Sequence, residues 1–172
     1  DKKYCFVDTA GFKKRAKIAE AVEYYGTVRT LRALDRAQIA LIVIDATEGA
    51  TEQDQKIASF AASRGCAVLI LINKWDLVKK EIYSVSDFTA SVKQKLRLLG
   101  YAPALTVSAL TGQGISKIYA LIDALTAQYY KKISTHKLND FVKQLSEGYV
   151  VSKKRKSLKI SYASQVRVAP PG

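Results

Sequence analysis

The sequence has few of the features that mark secreted, membrane-spanning or metal-bound proteins. Its 172 residues contain two cysteines and one histidine. The longest apolar run is far shorter than a membrane span, and no charged and then apolar amino-terminal segment suggests secretion. Cys5 and Cys66 are isolated in apolar surroundings without metal-site spacing, so both are predicted to be core residues of a reduced, cytoplasmic protein. His136 is predicted to lie on the surface of a helix.

Positive charge is concentrated near the carboxyl end of the chain. The formal net charge is +13. Residues 131–172 carry ten Lys or Arg against Asp140 and Glu147, a surplus of eight, whereas the first 130 residues carry eighteen basic and thirteen acidic groups, a surplus of five. Such a surplus favours a polyanionic partner, and RNA is the partner that we expect. A solvated basic tail is the alternative that charge alone leaves open.

The most informative stretch is residues 69–76, an apolar run that ends in the tetrad Asn-Lys-Trp-Asp. Four consecutive apolar residues predict a strand that is buried on both faces, as in a parallel sheet covered by helices. The tetrad follows the carboxyl end of this strand. Open α/β sheets bind their ligands at that edge.

The side chains of the tetrad suit a guanine base. The Asp76 carboxylate offers two acceptor oxygens to the N1–H and the exocyclic amine of guanine, and adenine has no such pair of donors. The Asn73 amide can bind the base or connect neighbouring loops. The Lys74 stem can lie along the purine face with its ammonium group in water. A helix cap is the alternative role for the aspartate.

Two further strand ends carry related patterns. Residues 4–7 lead into Asp-Thr-Ala-Gly at 8–11, and residues 104–107 lead into Ser-Ala-Leu at 108–110. The three patterns, in this order and each after a strand, resemble the third, fourth and fifth motifs of translation-factor-type GTPases. The resemblance implies binding of GTP or GDP with Mg2+. The residues that it assigns to the nucleotide are Asn73, Lys74, Asp76, Ser108, Ala109, Leu110, Asp8, Thr9, Ala10 and Gly11.

Within this resemblance the residues have separate expected roles. Asp8 is expected to hold Mg2+ through a bound water, and Gly11 to donate its N–H to the γ-phosphate. The Ala109 N–H is expected to donate to guanine O6, and Ser108 to bind Asp76 or its own loop. Phe12 occupies the position at which Ras-like relatives carry a glutamine that orients water. Hydrolysis is therefore expected to use another group, and the resemblance implies K+ near the phosphates.

One motif of such proteins does not occur in the sequence. No Gly-x-x-x-x-Gly-Lys-Ser/Thr loop, whose amides and lysine would hold phosphates, is found. We expect the chain to be part of a longer protein that supplies this loop. By itself the chain is expected not to hydrolyse GTP efficiently, and no catalytic residue is assigned.

Strand and helix patterns alternate along the first three quarters of the chain. This alternation predicts an α/β fold with a doubly wound, mostly parallel sheet, of which the first strands are missing. The predicted strands are residues 1–7, 39–45, 69–72 and 104–107, and the predicted helices are residues 23–37, 51–64, 86–99 and 114–130.

The last quarter has a different character. A helix is predicted after Ser134 or Thr135, followed by a basic loop at 153–156 and an amphipathic strand at 158–162. This tail, with the front segments at 8–18, 22–34 and 101–115, resembles the second GTPase domain and KH-like domain of the Der (EngA) family. The expected domains are a partial GTPase domain at 1–132 and an incomplete α+β KH-like domain at 133–172.

The resemblance implies a function for the whole protein. Members of that family carry two tandem GTPase domains and assist assembly of the large ribosomal subunit, with the nucleotide controlling contacts to ribosomal RNA. We therefore expect a monomeric, cytoplasmic GTPase with ribosomal RNA as partner. Two alternatives stay open: an RNA-binding module with a non-hydrolysing GTPase-like scaffold, and an Era-like protein with a single GTPase domain.

Overall fold

The computed structural model describes residues 2–9, 30–78, 84–148, 150–151, 156–157 and 160–169. The chain divides into two compact units, Asp1–Thr126 and Ala127–Gly172. The predicted domain border after residue 132 and the KH-like identity of the second unit stay predictions.

The first unit is built on a three-stranded parallel sheet. Its strands are β1 (Ile39–Asp45), β2 (Ala67–Asn73) and β3 (Ala104–Thr106), in the order β1-β2-β3. The register places Asp45 beside Asn73, so the polar ends of β1 and β2 meet at one edge. The three strands lie where the sequence predicted strands, and their parallel pairing is confirmed.

Helices follow each strand. They are α1 (Glu52–Ser63), α2 (Val85–Lys95) and α3 (Ile115–Tyr129), with short 3-10 helices at Trp75–Leu77 and Arg97–Leu99. Residues 30–34 are also helical.

Local side chains determine where these helices begin and end. Helix α1 begins with a reciprocal capping box between Thr51 and Asp54. The helix predicted at 86–99 is interrupted because Leu96 leaves helical geometry, with φ −90° and ψ 55°.

Within the described part of the chain, no helix is both long and apolar enough to cross a membrane.

The sheet has a core on each face. Val68, Ile70 and Ile72 project to one side and belong to a cluster that includes side chains of α1 and α2. Leu69 and Leu71 project to the other side, where apolar side chains of α3 cover them. Alternate residues of one strand are therefore buried against different helices, which explains the unbroken apolar run. The doubly wound α/β fold is confirmed.

The strand predicted at 1–7 is wrong for the residues that are described. Residues 2–9 form no strand, and all of their side chains are exposed. The segment lies against α3 instead, since Tyr4 donates to Asp123 at 2.9 Å and the rings of Tyr4 and Phe6 pack edge-on against Tyr119. A strand pattern forms a strand only where another backbone offers hydrogen bonds.

The prediction for the cysteines is half right. Cys66 is buried, as expected, and its thiol lies 3.4 Å from the Leu34 carbonyl oxygen. Cys5 is exposed, because the segment around it contacts α3 through its neighbours Tyr4 and Phe6.

The second unit contains α4 (Thr135–Gly148) and an antiparallel pair of two-residue strands, β4 (Val150–Val151) and β5 (Lys156–Ser157). The strand predicted at 158–162 is wrong where it is described, since residues 160–162 form no strand. Their neighbour Ala163 is bound by a side chain instead: the Asn139 amide donates to its carbonyl oxygen and accepts from its N–H, both at 2.8 Å. His136 is exposed on α4, as predicted, 3.4 Å from Asp140.

Candidate functional site

Polar residues from three parallel strand ends meet at one edge of the sheet. Asp45 ends β1, Asn73 ends β2, and Ser108 follows β3 by two residues. Backbone bonds join the segments that continue from these strands: Ala46 N–H donates to the Asn73 carbonyl at 2.8 Å, and Trp75 N–H donates to the Val107 carbonyl at 3.1 Å. The edge that sequence analysis selected is thus a connected set of loops.

The Asn73 side chain connects two of the predicted motifs. Its Oδ1 atom accepts a hydrogen bond of 3.0 Å from the Ala109 N–H. Sequence analysis gave the Asn73 amide two alternative roles, binding the base or connecting neighbouring loops, and this bond fulfils the second. The Ala109 N–H was expected to donate to guanine O6. The structure brings Asn73 and Ala109 together, and in it this N–H donates to a protein atom.

Lys74 has an unusual backbone and a specific ionic partner. It is the one non-glycine residue in the described part of the chain with a positive φ, at 61°. Such backbone conformations cost about 1 to 3 kcal/mol and are concentrated at functional sites. The Lys74 Nζ atom lies 2.5 Å from Asp45 Oδ2, although 53% of its side chain is exposed.

Asp45 is strongly held in its ionised form. The Lys74 ammonium group lowers the pKa of the Asp45 carboxyl to about 2, and hydrogen bonds from Thr47 add to the effect. The Thr47 N–H and hydroxyl donate to Oδ1 at 2.9 and 2.7 Å. Conversely, the Asp45 carboxylate raises the pKa of Lys74. The ordinary aspartate pKa is about 3.9, so this carboxylate stabilises the fold above about pH 4, and that contribution is lost as the pH falls toward 2.

Replacing Lys74 by alanine is expected to raise the Asp45 pKa toward its ordinary value. The change should exceed that caused by Thr47→Val, because the ammonium group is the largest cause of the shift. A pH titration of the Asp45 side-chain carboxyl carbon by NMR measures both, with Lys117→Ala as a control that leaves the curve unchanged. A larger shift from Thr47→Val than from Lys74→Ala would contradict the assigned order.

Asp76, the last residue of the tetrad, is exposed, whereas its neighbour Trp75 is buried. Trp75 is 3% exposed, and its ring packs edge-on against Phe88 with 5.4 Å between centroids. The 3-10 helix Trp75–Leu77 leaves Asp76 exposed between this buried indole and Leu77. A carboxylate in this position is accessible to a ligand while its backbone is anchored.

The Ser108 loop is held by its own hydrogen bonds. The Ser108 side chain is fully buried, and its Oγ accepts from the Thr111 N–H at 3.1 Å. Of the two predicted partners, the loop is therefore the observed one. Gly114 has a φ of 77°, and a Cβ there would lie 2.7 Å from the Thr106 carbonyl oxygen. Ala109 and Leu110 are exposed on this loop.

The predicted phosphate and magnesium residues are only partly described. Asp8 and Thr9 are exposed, whereas Ala10, Gly11 and Phe12 lie outside the described residues. Among described side chains, no group of three or more His, Cys, Asp or Glu is arranged to hold a metal. A single exposed carboxylate fits Mg2+ held through water, because this ion retains much of its hydration shell.

Two residues of the site, Asp45 and Trp75, were not predicted from the sequence. Asp45 was predicted only as the last residue of the strand at 39–45, with no role in the site, yet it lies in register with Asn73 and binds Lys74. The available signal was its position as the last residue of the neighbouring parallel strand. Trp75 was interpreted only as part of the tetrad, whereas its ring packs against Phe88 and belongs to the hydrophobic core.

Sequence comparison identifies the class of protein. Residues 1–129 match the family of elongation factor Tu GTP binding domains. The chain therefore belongs to that family, and the resemblance to translation-factor-type GTPases is confirmed.

The chain is also similar to curated proteins named GTPase Der. The chain is 46% identical over 170 residues to GTPase Der of Ruminiclostridium cellulolyticum, covering 98% of this chain and 38% of that protein. It is 40% identical over 174 residues to GTPase Der of a Thermoanaerobacter species, covering 99% of this chain and 39% of the relative. The resemblance to the Der family is confirmed. The chain spans about two fifths of the length of these relatives.

Solved structures agree on the fold. A crystal structure of Era in complex with MgGDPNP and nucleotides 1506–1542 of 16S ribosomal RNA aligns with a TM-score of 0.56 and 25% identity, over 67% of this chain and 37% of that one. A probable GTP-binding protein engB aligns with a TM-score of 0.54 and 15% identity, over 67% of this chain and 72% of that one. The second likeness concerns the fold alone.

Proposed function

We propose that the edge formed by Asn73, Asp76 and Ala109 binds the base of GTP or GDP. The observation that carries this is the exposed Asp76 carboxylate beside an anchored loop system, in a chain of a GTP-binding family. Asp76 accepts from guanine N1–H and the exocyclic amine. The Ala109 N–H donates to guanine O6, either sharing its bond to Asn73 Oδ1 or exchanging it. Ser108 and Leu110 shape the loop around the base.

Asp8, Thr9, Ala10 and Gly11 would serve the phosphate end of the nucleotide, whereas the Lys74 stem would lie along the purine face. Among the described residues that precede Asp8, Tyr4 contacts Asp123 and Phe6 contacts Tyr119, so this part of the chain approaches the start of α3 between residues 4 and 6. That start adjoins the end of β3, as the closeness of Gly114 to the Thr106 carbonyl oxygen indicates. Bound Mg2+ would neutralise phosphate charge, with Asp8 accepting from one of its waters.

We further propose that the full-length protein hydrolyses GTP during assembly of the large ribosomal subunit in the cytoplasm, and that the nucleotide state switches its contacts with ribosomal RNA. The 46% identity to a GTPase Der supports this choice over an Era-like protein. The basic surplus of residues 131–172 supports contact with ribosomal RNA. Because Phe12 offers no hydrogen bond to a water, K+ near the phosphates is the proposed aid to hydrolysis.

The activity is tested with the full-length protein. Phosphate release from GTP should exceed release from ATP by at least about a hundredfold, because a site built to hydrogen-bond one base rejects a base that lacks those groups. Release should also be faster in KCl than in NaCl at equal ionic strength. Equal turnover of GTP and ATP would contradict the base assignment, and equal rates in the two salts would contradict the role of K+.

The ribosomal part of the proposal is tested separately. Sedimentation of the full-length protein with purified ribosomal subunits should show binding to the large subunit that differs between GDP and a non-hydrolysable GTP analogue. Binding that is independent of nucleotide would favour a non-hydrolysing scaffold. Binding to the small subunit alone would favour an Era-like role.

A further inference from the structure

A groove in the second unit gathers positive charge without a carboxylate. It has a volume of about 540 Å3 and is lined by Gln128, Lys131, Lys132, Ile133, Ser134 and Lys137. The three lysines are exposed. The residues that line it offer ammonium, amide and hydroxyl donors to a common space.

The absence of a lining carboxylate leaves these charges uncompensated in the groove. On α4, the nearby Asp140 carboxylate lies 3.4 Å from His136 Nε2, and none of the salt bridges between described residues includes Lys131, Lys132 or Lys137. Like charges that converge on one space repel each other, and a polyanion in that space relieves the repulsion.

The segment that carries two of the lysines has a fixed backbone. The Gln165 side chain accepts from the Ile133 N–H at 2.9 Å and donates to the Lys131 carbonyl at 3.3 Å. One side chain therefore bridges both ends of residues 131–133. Asn139, on α4, makes a comparable two-bond bridge to Ala163, two residues before Gln165. Lys131 and Lys132 thus extend from an ordered segment, and Lys137 extends from the first turn of α4.

We propose that this groove binds the sugar-phosphate backbone of RNA. The inference rests on the proposed function, and it assigns RNA contact to a particular surface. The three ammonium groups neutralise phosphates, while Gln128 and Ser134 add neutral donors suited to phosphate or ribose oxygens. Because contacts to the sugar-phosphate backbone do not read the bases, the affinity for RNA should depend far more on the salt concentration than on the RNA sequence.

The test uses the chain itself and a labelled RNA hairpin, with binding followed by fluorescence anisotropy across a range of KCl concentrations. The variant carries Lys131→Gln, Lys132→Gln and Lys137→Gln. Its matched control carries Lys56→Gln, Lys117→Gln and Lys143→Gln, which remove the same charge from exposed positions outside the groove. Circular dichroism verifies that both variants are folded.

The groove variant should lose affinity on the order of tenfold at low salt. Its slope of log affinity against log salt should fall by about 2 to 3, since each of the three lost phosphate contacts removes about 0.7 to 0.9 from the slope. The control variant should lose far less affinity, and its salt slope should fall far less. Equal losses in the two variants would overturn the assignment of the groove, although the RNA-binding part of the proposed function would survive.

Two further outcomes separate the proposals. If the unmodified chain does not bind the hairpin, the RNA-binding part of the proposed function fails, and this inference fails with it. If the unmodified chain binds phosphatidylserine vesicles as tightly as RNA, and the groove variant loses both, the groove is a general anionic surface and its assignment to RNA is wrong.

Discussion

Replacing Ile70 by alanine is expected to lower the free energy of unfolding by roughly 2 to 5 kcal/mol. Ile70 lies at the centre of the sheet with no exposed surface, in the cluster that includes α1 and α2 side chains. Its truncation removes apolar contacts and leaves a cavity that a strand flanked by β1 and β3 cannot readily close. Urea unfolding followed by circular dichroism measures the change.

Leu98→Ala is the matched control for this prediction. Leu98 lies on the short helix Arg97–Leu99 and is 61% exposed, so its truncation should change stability by no more than about 0.5 kcal/mol. Equal losses from the two variants would contradict the assignment of the core.

The parts of the fold that were predictable depend on patterns within short segments. The four consecutive apolar residues at 69–72 predicted a strand that is covered on both faces, because successive side chains of a strand point to opposite faces of the sheet. All four side chains are buried. The helix predicted at 51–64 begins where expected, at the capping box of Thr51 and Asp54, whose two members lie within one turn of each other. In each case the sequence contains every group that the local structure needs.

The failures occurred where a partner distant in sequence decides the outcome. The segment 2–9 has a strand-like pattern, yet its side chains contact Tyr119 and Asp123 on α3. Residues 160–162 alternate like a strand, but the adjacent backbone is bound by Asn139. Cys5 is exposed for the same reason as its neighbours.

The spatial grouping of the candidate site residues was predictable from the sequence, and the hydrogen bonds and ion pair that connect them were less so. Parallel strands end at one edge, so the grouping of Asn73, Asp76 and Ser108 followed from strand order alone. The ion pair between Asp45 and Lys74 was missed because it depends on register and on a left-handed backbone.

Replacing Asp76 by asparagine in the full-length protein is expected to weaken GDP binding by roughly 10²- to 10⁴-fold. Two hydrogen bonds to a charged acceptor contribute about 1.5 to 3 kcal/mol each, and 1.4 kcal/mol corresponds to a factor of ten. The asparagine amide instead matches xanthine, which presents an oxygen where guanine has its amine. Affinity for xanthosine diphosphate should therefore rise.

Asp87→Asn is the matched control for that substitution. Asp87 lies in the first turn of α2, which Ser84 caps: the Asp87 N–H donates to Ser84 Oγ at 3.1 Å, and the Asp87 carboxylate accepts from the Ser84 hydroxyl at 2.7 Å. Removing this charge leaves the tetrad intact, so nucleotide preference should not change. Thermal unfolding of both variants verifies that neither loses its fold.

The most direct measurement of guanine recognition by Asp76 is calorimetric titration of the unmodified, Asp76→Asn and Asp87→Asn proteins with guanosine and xanthosine diphosphates. Our account predicts that Asp76→Asn alone reverses the preference from guanine to xanthine. An unchanged preference for guanosine diphosphate in Asp76→Asn would contradict it.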